Sequence, residues 1–432
     1  MNLNSWGNYP PIKNTVFDYT DENELLSILQ KPYEIIPHGN GRSYGDSALN
    51  TNIIHTIKHN YFLSFNKENG VLHCESGVLL SEILETFVPK GWFLSVTPGT
   101  KFITVGGAIS SDVHGKNHHI AGSFSETVLS FRLALPNGEI VECSQHNNQE
   151  FFKAACGGMG LIGVIIDAKI KLQPIKSSSI NQITIKTQNL KDTFEAFEKY
   201  KNYTYSVAWI DCMAKGDKIG KCLLMVGEHA DDGNLAYKNE KKLSIPFNLP
   251  SLTLNQFSVK MFNMLYYGKV KTGISKQKMS IDSFFYPLDA IKHWNRIYGK
   301  NGLTQYQFVL PKEKSYEGLQ KILGKIANSG KGSFLAVLKL FGKGNDNYLS
   351  FPTEGYTLAL DFKIEPNIFQ LFNELDKIVL EYGGRFYLAK DSRINKETFE
   401  VGYPQIETFR AIRKTHKFNE TLQSLQSKRL EI

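Results

Sequence analysis

A chain of 432 residues is longer than one hydrophobic core usually supports, so two or three domains are expected. Hydrophobic residues make up 41% and charged residues 21% of the chain, which excludes a disordered protein and is typical of a soluble globular one. The formal net charge of +8 is not sufficient evidence for a nucleic-acid partner. No helix-turn-helix or RNA-binding signature accompanies it.

Cysteine usage and the N-terminal residues bear on the compartment. The five cysteines are odd in number and form no CxxC pair, which favours reduced thiols over a disulfide framework. The first 14 residues lack the basic start and apolar run of a signal peptide. No apolar run of about 18 residues predicts a membrane-spanning helix. We therefore expect a cytoplasmic protein, peripheral on the inner face of a membrane if it contacts one.

Short strands and turns alternate from residue 33 to residue 175. Hairpins are predicted at Asn69-Gly70 and at Pro136-Asn137-Gly138. Apolar residues at helical spacing predict a helix over 80–87, which Pro89 and Gly91 end. Residues 161–175 read as a long strand. This part of the chain therefore predicts a β-rich unit with brief helices.

From about residue 181 the pattern changes to strand, helix and strand. The apolar spacing over 305–388 predicts a β-α-β-β-α-β order, which forms an antiparallel sheet with helices on one side. The fold class is therefore α+β. Residues 238–279 interrupt this second unit with eight lysines against one acid, Glu240, and with two prolines. We expect part of this basic insertion to be loop.

Four segments carry candidate site residues. They are Ile36–Asn50 (IPHGNGRSYGDSALN), Thr97–Phe124, Cys156–Gly163 and Phe386–Arg393. The first has three glycines around Arg42 but neither a GxGxxG nor a P-loop spacing, so taken alone a turn explains it.

Two other features have equally plain explanations when taken alone. The three histidines at 114, 118 and 119 lie beside Gly115 and have no carboxylate or cysteine at a metal spacing, so no metal site is expected. Lys390, beside Asp391 and Arg393, reads as a solvated ion-pair face.

Together and in this order, the glycine-rich segments resemble the FAD-binding domain of the vanillyl-alcohol-oxidase and p-cresol-methylhydroxylase (PCMH) type. In addition, GRSYGD, DVHGKNHHIAGSF, QYQFVLP, LKLFG and YLAKDSR closely resemble the decaprenylphosphoryl-β-D-ribose 2'-oxidase family. The likeness runs from about Ile36 to the C-terminal KRLEI, with little to align over 213–285. It implies oxidation of the 2'-hydroxyl of a lipid-linked ribose to a 2-keto product, the first half of an epimerisation to arabinose.

The resemblance also implies a domain arrangement. We expect a two-lobed PCMH-type FAD-binding domain at 1–175 and a substrate (cap) domain at 176–384, with an antiparallel sheet and helices on one face. The basic insertion at 238–279 belongs to the second of these. A C-terminal segment, 385–432, is expected to return to the FAD domain and the active site.

The family's site residues carry over position by position. The resemblance makes Lys390 the essential active-site lysine. Around the cofactor it implies Gly39, Asn40, Gly41, Arg42, Ser43, Tyr44, Gly45, Ser47, Gly99, Thr100, Thr104, Gly106, Gly107, Ser110, His114, Asn117, His118, Gly122, Ile162 and Tyr387. Around the substrate it implies Tyr44, His114, Trp209, Gln305, Gln307, Lys339, Phe341, Asp361 and Lys390.

Two departures from related sequences matter. Many members of the superfamily carry a histidine in the first glycine loop that bonds covalently to the flavin, whereas this chain has Arg42 and Tyr44 there. We therefore expect non-covalent FAD. Mycobacterial members of the family have a cysteine where this chain has Ala359, so covalent inhibitors that need that thiol are expected to fail.

Several alternatives remain open at this stage. Lys390 serves as a base only if its pKa is lowered, and otherwise it hydrogen-bonds the hydroxyl or pairs with a substrate phosphate. The lipid-phosphoribose reading implies a lipid-linked phosphosugar substrate, a separate keto-sugar reductase and a membrane-surface contact through 238–279, which is otherwise a solvated loop. A soluble sugar, alditol or aldonolactone oxidase is the second reading, and a basic non-enzymatic binding module is the third. The electron acceptor is oxygen, a quinone or another carrier.

Overall fold

The computed structural model describes residues 3–237, 243–271 and 273–432. The elements of the N-terminal part are, in chain order, β1 (Thr15–Phe17), α1 (Glu22–Leu29), β2 (Ile36–His38), β3 (Asn52–His55), β4 (Phe62–Asn66), β5 (Val71–Glu75), α2 (Leu80–Phe87), β6 (Trp92–Leu94), α3 (Val105–Ser110), α4 (His118–Ala121), β7 (Val128–Ala134), β8 (Ile140–Ser144), α5 (Gln149–Ala155) and β9 (Val164–Pro174).

The rest of the chain continues this numbering. Its elements are β10 (Ser179–Thr187), α6 (Leu190–Lys199), β11 (Tyr205–Ile210), β12 (Cys222–His229), β13 (Leu243–Ser244), α7 (Gln256–Gly268), β14 (Ile274–Ser280), α8 (Ile281–Phe285), β15 (Ile291–Lys292), β16 (Leu303–Pro311), α9 (Ser315–Ser329), β17 (Ala336–Phe341), β18 (Gly355–Lys363), α10 (Ile368–Glu381), β19 (Arg385–Phe386), α11 (Lys396–Gly402), α12 (Ile406–Thr415), α13 (Phe418–Thr421) and α14 (Leu425–Leu430).

Two sheets form the N-terminal part. β1, β3 and β2 pair in parallel, and β4, β5, β9, β7 and β8 form an antiparallel sheet in which β6 also pairs with β9. Both predicted hairpins, β4–β5 and β7–β8, are present. The predicted helix is also confirmed as α2, which buries its apolar face and is followed by Gly91 in the left-handed conformation (φ 82°). Strand periodicity and turn chemistry were therefore reliable guides here.

A large antiparallel sheet dominates the second part. Among the described residues it has eight strands in the order β14-β10-β12-β11-β17-β18-β16-β19. Helices α6, α9 and α10 pack against its strands and against one another. The α+β class and the predicted β-α-β-β-α-β order of 305–388 are thus confirmed. The helices cover one face, and this leaves the other face of the sheet available to line a site.

Alternation along β16 shows how the two faces differ. Tyr306 points toward the helices, where its hydroxyl donates to Asp376 of α10 over 2.9 Å. Its neighbours Gln305 and Gln307 point the opposite way and line a cavity. Because successive side chains of a strand lie on opposite faces, one strand supplies both the core and the site.

The described part of the basic segment contains three elements that the sequence did not predict: the two-residue strand β13, helix α7 and edge strand β14. Asn255 begins the helix, because its side chain accepts hydrogen bonds from the backbone N–H groups of Phe257 and Ser258. Part of the segment is loop, as expected. Three of its lysines fall within 238–242, which together with residue 272 lies outside the described residues.

The C-terminal helices return to the N-terminal part. Arg429 of α14 forms ion pairs with Asp46, which follows the first glycine loop, and with Asp391, at 2.8 and 2.9 Å. Arg413 of α12 is buried and donates to the backbone oxygen of Leu161. No helix in the described parts of the chain has the length and apolar character to cross a bilayer.

Candidate active site

A cavity of about 770 Å³ lies between the glycine-rich loops and the open face of the large sheet. A volume in this range suits a cofactor or a small-molecule ligand. The predicted site residues that line it are Gly39, Asn40, Gly41, Arg42, Ser43, Tyr44, Ser47, Gly99, Thr100, Thr104, Gly106, Gly107, Ser110, His114, Trp209, Gln305, Gln307, Lys339, Tyr387 and Lys390. Segments far apart in sequence therefore meet at one site.

The first glycine loop is fixed against the segment that carries Lys390. The backbone N–H of Tyr44 donates to the oxygen of Ala389 over 3.0 Å. Gly45 lies so close that a Cβ there would stand 1.8 Å from the backbone oxygen of Asp391. Any side chain at 45 would push the two segments apart, so glycine is required here for chain packing.

This packing brings Lys390 onto Tyr44. The ammonium nitrogen of Lys390 lies 3.6 Å from the centroid of the Tyr44 ring, a cation–π contact. Asp361 lies nearby and is almost fully buried, and one of its carboxylate oxygens accepts a hydrogen bond from Gln305. Tyr44, Lys390 and Asp361 form a compact polar cluster against the sheet.

Burial and the neighbouring charges shift the pKa values of Lys390 and Asp361 in this cluster. Desolvation lowers the pKa of Lys390 to about 7, with the nearby charge of Lys339 acting in the same direction and Asp361 opposing both. Desolvation also raises the pKa of the Asp361 carboxyl, against the stabilising effects of Gln305, Lys390 and Tyr44. Two groups of opposite charge whose pKa values converge titrate as a coupled pair. Lys390 is therefore able to give and take a proton near neutral pH.

His114 is held in the neutral form. Burial, Lys339, His118 and Lys390 together bring its pKa well below the usual histidine value. Its Nε2 lies 3.1 Å from Nε2 of Gln307, so the amide donates to an unprotonated ring nitrogen. His114 therefore presents a neutral ring to the cavity.

Tyr387 is a second neighbour of the His114 ring. The two rings have centroids 5.0 Å apart, and the Tyr387 hydroxyl donates to the Ser111 oxygen over 3.0 Å. Because its hydrogen-bonding group is occupied by the chain, Tyr387 offers mainly its ring to the site. It also stacks on Phe351, which fixes its orientation.

Two further lysines line the cavity and add positive charge. Lys339, from β17, makes no hydrogen bond or ion pair with another described residue, and desolvation lowers its pKa to about 8. Lys116, which the sequence did not single out, lines the cavity and donates to the Phe284 oxygen. Desolvation lowers the pKa of Lys116 to about 7. The sequence signal for Lys116 is its place in the motif HGKNHH, between His114 and His118.

Arg42 is seated by aromatic rings. Its guanidinium lies 4.4 Å from the Trp6 ring centroid and 5.9 Å from that of Phe102. A second residue absent from the sequence prediction, Asp289, accepts hydrogen bonds from the Thr100 hydroxyl and the Lys101 backbone N–H at 2.8 Å each. Trp6 and Asp289 both line the cavity, and isolated side chains outside the glycine motifs gave no pattern from which to predict them.

The loops offer hydrogen-bond donors that fit the diphosphate of FAD. None of the backbone N–H groups over Gly39–Ser43 donates a hydrogen bond to another described residue, and all five residues line the cavity. A Cβ on Gly99 would meet no atom within 4 Å, so this backbone faces open space. Ser76 adds a buried hydroxyl without a partner among the described residues. Such free donors are what an anionic diphosphate requires.

Seven predicted site residues do not line the cavity. Gly45 packs on Asp391, Asp361 lies behind Gln305 and Tyr44, and Phe341 stands behind His114 with ring centroids 4.8 Å apart. The other four support the loops or the core: Asn117, His118, Gly122 and Ile162. In the structure these seven residues pack within the protein around the cavity, and their contact with a ligand stays a prediction.

Comparison with known proteins agrees with this geometry. A family model described as an FAD binding domain matches residues 16–144. Decaprenylphosphoryl-β-D-ribose oxidase of Mycolicibacterium smegmatis is 35% identical over 449 aligned positions, which cover 100% of this chain and 97% of the relative. An uncharacterized Streptomyces coelicolor protein is 27% identical over 78% of the chain and 95% of its own length. Bovine L-gulonolactone oxidase is 25% identical over 92% of the chain and 90% of its own length.

The matched domain, the free N–H donors and the full-length similarity agree on the cofactor and on the type of reaction. The enzyme uses FAD and is an oxidoreductase acting on a sugar. The chain belongs to the decaprenylphosphoryl-β-D-ribose oxidase family of FAD-dependent oxidoreductases.

Proposed function

We propose that this enzyme oxidises the 2'-hydroxyl of a polyprenylphosphoryl-β-D-ribose to the 2-keto product. The full-length relative is named for oxidation of a decaprenylphosphoryl ribose, and the similarity to it covers the whole chain. One further feature of the cavity, the positive charge of Lys339 on its wall, supports an anionic lipid-linked sugar over a neutral one. The chemistry available at Lys390 supports oxidation of a hydroxyl.

The observation that carries the proposal is the unpaired charge of Lys339. Its ammonium faces the cavity with no hydrogen-bonding or ionic partner among the described residues. Partly desolvating a cation without a partner is costly, and a bound phosphate would offset that cost. A neutral polyol or lactone would leave the charge without compensation.

Lys390 is the proposed proton acceptor. Its lowered pKa gives a substantial neutral fraction near neutral pH, and a neutral amine can take the proton of a sugar hydroxyl. Bound FAD supplies the acceptor for the hydride that leaves the carbinol carbon. The cation–π contact with Tyr44 fixes the direction in which the amine approaches, while Asp361 stabilises the ammonium form that results.

The glycine loops and the sheet form different walls of the cavity, while Tyr44 and His114 are proposed to contact both cofactor and substrate. The glycine loops, with free N–H donors over Gly39–Ser43, would hold the diphosphate of FAD without a covalent bond. The sheet supplies Gln305, Gln307, Trp209 and Lys339 for the substrate. The phosphosugar would thus enter between the cofactor and the open face of the large sheet.

The product places the enzyme in a two-step conversion. A 2-keto sugar becomes the epimeric alcohol only when a hydride is delivered to the opposite face of the same carbon. We therefore include a separate keto-sugar reductase, giving the arabinose configuration, as a functional partner. Because the substrate carries a polyprenyl chain, we also place the enzyme in the cytoplasm, peripheral on the inner face of the membrane.

A soluble sugar or aldonolactone oxidase is the second candidate. Bovine L-gulonolactone oxidase aligns with most of this chain, although at lower identity. Anaerobic titration of the purified holoenzyme separates the two candidates. We expect a short-chain prenylphosphoryl-β-D-ribose to bleach the visible flavin band, and expect L-gulonolactone and free pentitols to leave it unchanged. Bleaching by the lactone alone would overturn the proposal.

A further inference from the structure

We propose that helix α7 inserts its exposed face into an anionic lipid surface and seats the mouth of the cavity there. The proposal rests on the function given above, and it names the structural element that meets the lipid. The helix exposes five large apolar side chains: Phe262 (41%), which packs on Tyr266 and Phe334, and a group of four, Phe257 (71%), Met261 (41%), Met264 (64%) and Leu265 (65%). It is the group of four that forms the proposed lipid-facing surface. At a turn of 100° per residue, these positions fall on one face.

The opposite face of α7 is firmly attached to the protein. Val259 and Asn263 are buried, and the Asn263 amide donates to Asp211 over 2.7 Å. The Tyr267 hydroxyl donates to the Thr187 oxygen over 2.8 Å. The apolar face therefore belongs to a docked helix, and its exposure is a property of the folded protein.

Cations flank the exposed apolar face on both sides. By helical spacing, Lys260 lies on one side and Lys269 on the other, and both are exposed. Lys271 and Lys276 follow in the chain and are also exposed, while residues 256–271 contain no Asp or Glu. An apolar face bordered by lysines is the pattern of helices that lie in the interface of acidic membranes.

The helix is continuous with the cavity. Tyr266 and Lys269 line the cavity, and Tyr266 packs on Trp209 with ring centroids 4.8 Å apart. Since Lys269 is also exposed, the cavity meets solvent beside α7. A polyprenyl chain could remain among lipid tails at this helix while the phosphosugar enters the cavity. A nucleic acid would use the lysines but would leave the apolar face uncovered.

Vesicle sedimentation of the FAD-loaded enzyme tests the proposal. Phosphatidylcholine vesicles with and without phosphatidylglycerol would be compared at physiological ionic strength. The informative variant is Leu265→Asp. Its matched control is Val401→Asp on α11, because Val401 is 66% exposed and the change of charge is the same. Flavin reduction by a short-chain prenylphosphoryl ribose without vesicles gives a second readout.

We expect the wild type and Val401→Asp to bind the anionic vesicles, and Leu265→Asp to partition at least tenfold more weakly. Vesicle-free flavin reduction should be equal in all three. The proposal fails if the wild type does not sediment, if Leu265→Asp binds like wild type, or if Val401→Asp loses as much. Normal vesicle binding without flavin reduction by any phosphoribosyl lipid would overturn the proposed function and leave the docking helix standing.

Discussion

The ammonium of Lys390 lies 3.6 Å from the centre of the Tyr44 ring, although the two residues are separated by most of the chain. The hydrogen bond from Tyr44 to Ala389 holds the backbones together, and Arg429 ties Asp46 to Asp391 just beyond them. The first glycine loop is thus a support for the proposed catalytic amine as well as a wall of the cofactor cleft.

Replacing Lys390 by alanine should leave FAD bound and should slow its reduction by the phosphoribosyl substrate about 10²–10⁴-fold, the usual contribution of a general base. The reason is that no other described side chain on the sheet side of the cavity offers an amine poised near neutrality beside Tyr44. Anaerobic stopped-flow absorbance measures the rate. Tyr44→Phe is the control, because it keeps the ring under the amine. Near-normal reduction in Lys390→Ala would remove this lysine from the chemistry.

The rate of flavin reduction should rise with pH through an apparent pKa near 7, because Lys390 must be neutral to take the proton. Asp361 raises the pKa of Lys390, so Asp361→Asn should lower it. The rising limb should then move to lower pH by about one unit, equivalent to ~1.4 kcal/mol. Rate profiles of both proteins on one substrate provide the comparison. A shift to higher pH would show that Asp361 does not act on the amine in this way.

Two glycine substitutions should affect different properties, one the stability of the protein and the other its affinity for FAD. In Gly45→Ala the new methyl would overlap the Asp391 oxygen, so the free energy of unfolding should fall by about 1–3 kcal/mol. In Gly99→Ala the methyl meets no atom within 4 Å, so stability should be unchanged while affinity for FAD falls. Thermal unfolding of the apoproteins and flavin titration measure the two effects. Unchanged FAD affinity in Gly99→Ala would remove that loop from the cofactor site.

Thiol-directed inhibitors should fail on the natural enzyme. All five cysteines are buried, and for each of them burial raises the thiol pKa above its usual value. Ala359 lines the cavity, so Ala359→Cys should place a reactive thiol there. Intact-mass measurement should show a single adduct on the variant with a cavity-directed electrophile and none on the wild type. Equal labelling of both proteins would contradict this assignment.

The flavin should leave the protein on denaturation. The first glycine loop has Arg42 and Tyr44 where a flavin-linking histidine would be expected, so the histidine that forms that bond in related proteins is missing. Acid precipitation should therefore release all of the visible absorbance into the supernatant. Colour retained in the washed pellet would demonstrate a covalent link.

Local sequence patterns predict most of the fold. Alternation and turn residues located the hairpins β4–β5 and β7–β8, and apolar spacing located α2, α9 and α10. Apolar spacing did not identify helix α7, because most of its large apolar residues are exposed. Arguments from apolar spacing assume that such a face is buried. The lysines around α7 are equally typical of a solvated loop, so they did not indicate a helix.

The site was only partly accessible from sequence. The family motifs predicted that Lys390, Tyr44, Gln307 and Lys339 belong to one site, and all four line the cavity. Nothing in the motifs indicated that Gly45 packs against Asp391. Asp289 depends on long-range contacts with Thr100 and Lys101 that its neighbours in sequence do not encode. Such contacts appear only once the loops and the sheet are placed together.

Isotopic substitution tests the central claim most directly, because it identifies the carbon that loses hydride. Short-chain prenylphosphoryl-β-D-ribose would be prepared with deuterium at C2' or, as the control, at C3', and flavin reduction followed anaerobically. We predict a several-fold slower reduction with the C2' label and no change with the C3' label. A slower rate with the C3' label alone would contradict oxidation at the 2'-hydroxyl.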